Sequence, residues 1–173
     1  MVITEADTCR KYVLPKLYSA GWSDDQISEQ KTFTDGRIVV LEKKCRRRKQ
    51  KRADYILRYR RDFMIAIVEA KAAYRSAGDG LQQAKEYAIT LGLKFAYSTN
   101  GKEIIEYNFL TGKEQRIENF PSPNELWNHL SPAEGIVSQL VAERVLAPGY
   151  KVPGKPPRYY QEIAINSAIK AIL

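Results

Sequence analysis

The chain has 173 residues, 44% of them hydrophobic, and a formal net charge of +8. That length fits one domain, or one domain and the beginning of another, and the apolar content argues against disorder. No run of about 18 apolar residues occurs, which excludes a spanning helix, and the opening MVITEADTCRKY lacks the apolar stretch of a secretory signal.

Apolar residues Ala6, Cys9, Val13, Leu14 and Leu17 recur at helical spacing, predicting a helix over residues 4–19. Pro15 falls inside that pattern and is expected to kink or interrupt it. Gly21 ends it, with Trp22 packing back on the core. The polar stretch Ser23–Gln30 is read as a short helix, and the β-branched run Ile38–Leu41 as a strand. Residues 43–52, KKCRRRKQKR, hold eight Lys or Arg and no acid. Without those eight, the 28 basic residues fall to 20, equal to the 20 acidic ones, so the whole excess charge sits in this stretch. It is expected to be a solvated, mobile loop. Such a loop also suits a phosphate-contacting arm, formed by Lys43, Lys44, Arg46, Arg47, Arg48, Lys49, Lys51 and Arg52, because neutralising phosphates releases counterions.

Two strands follow, Ala53–Tyr59 and Phe63–Glu69, joined by Arg60-Arg61-Asp62 and so expected to pair as an antiparallel hairpin. The second is almost continuously apolar, as a central strand covered on both faces is. Gly78 and Gly80 mark a turn, Leu81–Leu91 a helix, and Gly92 its end. Lys94–Ser98 and Glu103–Phe109 are strands around a two-residue Asn100-Gly101 turn. The order helix, three strands, helix, two strands gives an α/β domain, a mixed sheet flanked by helices. The pattern changes at Pro121: helices are predicted over Pro123–Leu130 and Pro132–Leu146, then a Pro/Gly linker, PGYKVPGKPP. The final RYYQEIAINSAIKAIL restarts a helix that runs to the last residue, the expectation for a chain cut at or within a further domain. Cys9 and Cys45 lack metal-type spacing and are read as free thiols in a reducing cytosol, so the expected location is cytoplasmic.

The chemistry concentrates on the hairpin. Asp54 and Glu69 lie on strands placed side by side, and Glu69 and Lys71, two apart, leave the same face while Ala70 points into the core. Two carboxylates suit a hard cation such as Mg²⁺, which takes few protein oxygens and fills its shell with phosphate and water. The lysine can orient or deprotonate an attacking water, or stabilise charge on phosphorus. A Glu-x-Lys alone is worthless, and the same three residues can equally form a structural ion pair. Charges closing a long apolar strand are less common, since a charge near a core is costly. Gln83 and Tyr87, four apart, share a face of the next helix, either as surface polar residues or as groups overhanging the carboxylates. His129, the single histidine, has no partner in sequence, which disfavours histidine nucleases, zinc sites and Ser-His-Asp triads.

The runs R-A-D-Y-I-L, I-V-E-A-K, G-L-Q-Q-A-K-E-Y-A and S-T-N-G, over residues 3–112, resemble the N-terminal nuclease domain of type I restriction enzyme R subunits, within the PD-(D/E)xK superfamily. One departure is the basic run, which stands where the family often has an acidic or glycine-rich connection. The resemblance implies a restriction-endonuclease-like fold with a helical C-terminal extension. It implies Asp54 and Glu69 as metal-binding acids for Mg²⁺, Lys71 as the catalytic lysine, and Gln83 and Tyr87 as the Gln-x-x-x-Tyr signature. Glu5 resembles the helix-borne acid that often completes such sites, with Asp7 the other candidate.

P-R-Y-Y-Q-E-I-A-I-N-S-A-I resembles the adenine-reading segment that opens superfamily 2 helicase motors, with Gln161 the matching residue. The phosphate loop is absent, so ATP is expected as a ligand only of a longer protein. The implied division is 1–120 nuclease domain, 121–157 helical extension and linker, and 158–173 the start of a motor. The implied function is endonucleolytic cleavage of double-stranded DNA, coupled to ATP-driven translocation, in complex with methyltransferase and specificity subunits. The competing expectation is a non-catalytic DNA-binding or docking domain using residues 43–52 as an arm. An RNA-binding protein is a weaker alternative, because those residues contain no stacking aromatic.

Overall fold

Strand β5 (Phe63–Ala70) is buried at every position and forms the spine of the fold. Its run FMIAIVEA lets both faces pack against apolar layers. It pairs antiparallel with β4 (Lys51–Arg60) on one side and parallel with β6 (Phe95–Thr99) on the other. The computed structural model describes residues 4–33, 38–41, 44–47, 50–147 and 159–172. With β1 (Ile27–Phe33), β7 (Ile104–Asn108) and β8 (Lys113–Ile117), these strands make a six-stranded sheet of order β1-β4-β5-β6-β7-β8. A separate two-stranded ribbon pairs β2 (Ile38–Leu41) with β3 (Lys44–Arg47). The mixed sheet flanked by helices is the expected α/β class.

One face of the sheet packs on the N-terminal helix, through Cys9, Val13, Leu17 and Trp22, and on Leu126, Trp127, Leu130, Ile136 and Val145. The last five belong to or flank α4 (Pro123–Ala133) and α5 (Gln139–Val145). The opposite face packs on α3 (Leu81–Leu91) through Ala84, Tyr87, Ala88 and Leu91. Tyr159 and Ile163 of α6 (Tyr159–Ile172) pack against this second layer. The α3 helix connects parallel β5 and β6, a connection no short hairpin can make.

Several expectations need correction. Ser23–Gln30 is not a helix: a single 3₁₀ turn (Asp24–Gln26) leads into edge strand β1. β1 and β8 expose most of their side chains, so hydrophobic periodicity does not reveal them. Main-chain pairing to a neighbour holds them instead. The basic stretch is not simply a loop, because Lys44–Arg47 is strand β3 and Lys51 and Arg52 open β4. Lys43, Arg48 and Lys49 lie outside the described residues, as does the whole PGYKVPGKPP segment.

Pro15 interrupts the first helix less abruptly than expected. The helix runs from α1 (Glu5–Thr8) through a π-helical turn, Cys9–Val13, into α2 (Leu14–Ser19), with Pro15 in the first turn of α2. The wider turn, in which the Leu14 N–H reaches the Cys9 carbonyl, accommodates the missing proline donor. Between β6 and β7 the connection is four residues, since Thr99 pairs with Ile104. The last predicted helix shortens to Gln139–Val145, because Gly135 turns the chain at φ +74°. No described helix is long and apolar enough to cross a membrane.

Candidate active site

The β4–β5 register pairs Tyr55 with Val68, which sets Asp54 opposite Glu69. Directly opposed residues of an antiparallel pair project to the same face. Their carboxylates also tie the two strands together. The Ala70 N–H donates to Asp54 Oδ2 at 2.8 Å, and the Asp54 N–H points at Glu69 Oε1 at 3.4 Å. Ala70 itself is fully buried on the other face, as the alternation required.

Glu69 is 1% exposed. Burial, then the neighbouring Asp54 charge, pushes its pKa up to about 8, against the pull of Lys71. Burial raises Asp54 as well, while the Ala70 N–H, Lys71 and Arg52 hold it down. Two adjacent carboxylates withdrawn from water form an oxygen-donor pair that favours either a shared proton or a cation. That donor set fits a hard divalent ion that keeps much of its water. No group of three or more His, Cys, Asp or Glu arranged for a metal occurs among the described residues.

Lys71 follows β5 directly, its N–H donating to the Thr99 carbonyl at 2.7 Å. Its ammonium donates to Gln83 Oε1 at 3.2 Å, and the Gln83 amide donates to the Tyr87 hydroxyl at 3.0 Å. The lysine, amide and phenol thus form one relay from the strand end along α3. Gly80, just before that helix, makes the approach possible. A Cβ there would lie 2.6 Å from Ser98 Oγ and 3.0 Å from Lys71 Cε.

A cleft of about 520 Å³ opens at this point, lined by Thr4, Glu5, Lys71, Tyr74, Arg75 and Gln83 among others. Glu5 therefore faces the same space as the relay. Asp7 does not line it: its carboxylate accepts from the Thr4 N–H and hydroxyl, closing the N-terminal cap of α1. The helix is seated by Gly101 at φ +86°, where a Cβ would come within 2.7 Å of Tyr12 Cβ.

Asp54, Glu69, Lys71, Gln83, Tyr87 and Glu5 are thus brought to one region. Of the other predicted residues, Lys51 and Arg52 border this region and those described after them do not. Arg52 is exposed on β4, and Lys51 places its ammonium 5.6 Å from the Tyr87 ring centroid. Lys44, Arg46 and Arg47 belong to the ribbon, away from the main sheet's pairing. Gln161 is exposed in the first turn of α6. His129 is exposed on α4. Sequence reasoning missed Lys51 as a neighbour of Tyr87 and Gly80 as the lysine's packing partner. The glycine immediately before G-L-Q-Q's helix was the available signal.

A family model described as the type I restriction enzyme R protein N terminus matches residues 24–121. The chain is 35% identical to the type I restriction enzyme EcoAI endonuclease subunit of Escherichia coli, over 98% of this chain and 22% of that protein. It also matches a solved fragment assigned to an HsdR subunit of a type I restriction enzyme from Vibrio vulnificus YJ016. There the identity is 51% and the TM-score 0.86, over 100% of this chain and 33% of the other. The chain therefore spans between a fifth and a third of these relatives.

Proposed function

This chain belongs to the type I restriction enzyme R protein N-terminal family, and from that premise we propose that it is a metal-dependent endonuclease domain hydrolysing phosphodiester bonds of double-stranded DNA. The observation that carries the reading is the Asp54–Glu69 pair on adjoining strands with the Lys71 charge acting on both acids, the lysine itself being tied to Gln83 and through it to Tyr87. Asp54 and Glu69 would hold Mg²⁺, while Glu5 faces the adjoining cleft without completing a three-acid cluster among the described residues. When bound, the ion supplies positive charge against the phosphate and lowers the pKa of water.

The protein groups have separable roles. Lys71 sets an ammonium beside the acids, where it offsets negative charge growing on the phosphate oxygens. Gln83 fixes the direction of that ammonium, and Tyr87 fixes Gln83. The basic residues of 43–52 supply sequence-independent attraction for the DNA backbone. The division into a nuclease domain, a helical extension and the start of a motor belongs to the same reading. So do ATP-driven translocation, Gln161 as an adenine contact, and assembly with methyltransferase and specificity subunits in the cytoplasm.

The test is Glu69→Ala in the full-length subunit within its complex. Mg²⁺-dependent cleavage is expected to be lost, with DNA binding and ATP hydrolysis near the unsubstituted level. Cleavage at the normal rate would overturn the reading. The non-catalytic docking alternative requires that the unsubstituted complex also leave DNA uncut.

A further inference from the structure

The S-T-N-G run, Ser98–Gly101, contributes no side chain to the proposed chemistry, yet three of its four residues are spent on bracing the site. Ser98 Oγ donates to the Ala77 carbonyl, and Asn100 Nδ2 donates to the Arg75 carbonyl at 2.8 Å. Asn100 Oδ1 simultaneously accepts from the N–H groups of Lys102 and Glu103 at 3.0 and 2.9 Å. Asn100 thus clamps the β5–α3 connection to the β6–β7 turn, and Gly101 seats the first helix beside it.

Arg75 is tied through both of its backbone groups. Its N–H donates to the Ala72 carbonyl at 2.8 Å and its own carbonyl takes the Asn100 amide. Its side chain, by contrast, is exposed, lines the cleft, and has no ion pair among the described residues. Asp79 lines the same cleft without pairing with it. Tyr74, beside it, leaves 69% of its surface in water at the cleft wall. The anchored backbone thus presents a solvent-facing guanidinium and an aromatic ring side by side at the cleft.

We propose that the Tyr74–Arg75 corner is a substrate-strand contact: Arg75 grips a backbone phosphate of DNA entering the cleft, and the Tyr74 ring packs on the adjoining sugar or base. The guanidinium fork suits two phosphate oxygens, and an exposed ring beside it suits a sequence-tolerant stacking contact. The inference rests on the nuclease reading for its substrate class.

The test uses this chain and a short fluorescein-labelled duplex, with anisotropy titrations over a salt series in the absence of Mg²⁺. Arg75→Ala is expected to weaken binding and reduce the slope of log affinity against log salt by about 0.9, the loss of one phosphate contact. Arg75→Lys is expected to keep the slope. Tyr74→Ala is expected to weaken binding with the slope unchanged, and unaltered affinity there removes the ring from the contact. Asn100→Ala, which loosens the corner without removing charge, is expected to weaken binding with circular dichroism unchanged. Unaltered affinity and slope in Arg75→Ala, or no binding by the unsubstituted chain at low salt, overturns the proposal. The two readings fail separately. Cleavage surviving Glu69→Ala removes the nuclease, whereas lost cleavage with an indifferent Arg75→Ala removes only the corner.

Discussion

Asp54 and Glu69 oppose each other across β4 and β5, each tied to the other's strand: Asp54 Oδ2 takes the Ala70 N–H at 2.8 Å, and the Asp54 N–H faces Glu69 Oε1 at 3.4 Å. The acids are therefore fixed by the sheet itself rather than by loops, which keeps them paired even though pairing them is electrostatically unfavourable.

That strain has a pH signature. The Glu69 carboxyl binds its proton more tightly folded than unfolded, with a folded pKa of about 8 against an ordinary 4.5, and Asp54 shifts in the same direction. The folded state then carries more protons than the unfolded one between those values, so stability falls as pH rises. Melting temperature is expected to be highest near pH 5 and to fall towards pH 8. Glu69→Gln is expected to flatten that decline, as followed by circular dichroism melts.

The same proton competes with a cation. Below pH 8, binding a divalent ion at the pair must release a proton, so affinity rises with pH by up to about tenfold per unit. Calorimetric titration with Mn²⁺ at pH 6, 7 and 8, in buffers of different ionisation enthalpy, reads both affinity and proton release. A pH-independent affinity, or binding that survives Asp54→Asn with Glu69→Gln, would place the ion elsewhere.

Gln83 joins Lys71 to Tyr87 by hydrogen bonds and makes none to either acid among the described residues. Gln83→Ala in the full-length complex is expected to lower cleavage by about 10–100-fold, the usual cost of losing a group that orients a reacting one. Tyr87→Phe, which keeps the ring against Phe33 at 5.0 Å but removes the hydroxyl, is expected to cost less. Single-turnover rates against DNA concentration distinguish this from lost binding: the maximal rate falls and half-saturation stays.

The C-terminal helix is held by a sequestered ion pair. Arg58 donates to Glu162 at 3.2 Å and to the Arg61 carbonyl at 3.0 Å, and the two side chains are only 9% and 12% exposed. Removing one member leaves a buried charge, so Glu162→Ala is expected to destabilise the chain by on the order of 3 kcal/mol. Limited proteolysis is the check. Cleavage before residue 159 is expected to accelerate in that variant while β5 stays protected.

Neutralising the eight basic residues of 43–52 tests the remaining electrostatic claim. DNA association is expected to weaken and its salt dependence to flatten by several units of slope. A slope equal to that of the unsubstituted chain would remove these residues from the interface, whatever Arg75 does.

The sequence by itself determined the central layer and the order of the chemical groups. FMIAIVEA reads as a strand buried on both faces, period-two alternation sends Glu69 and Lys71 one way and Ala70 the other, and a four-residue spacing puts Gln83 and Tyr87 on one helix face. Those are local rules, written in side-chain periodicity. Tertiary structure decided what periodicity does not encode. β1 and β8 expose polar side chains and exist because a neighbouring strand offers unpaired N–H and C=O groups. Part of the basic run became strand β3 by the same main-chain pairing. The choice between Glu5 and Asp7 at the cleft fell to helix capping, which occupies one carboxylate and leaves the other facing the cavity. Only the folded chain brings Gly80 against Lys71 and Asn100 against Arg75, contacts between residues 9 and 25 positions apart that no short-range pattern announces.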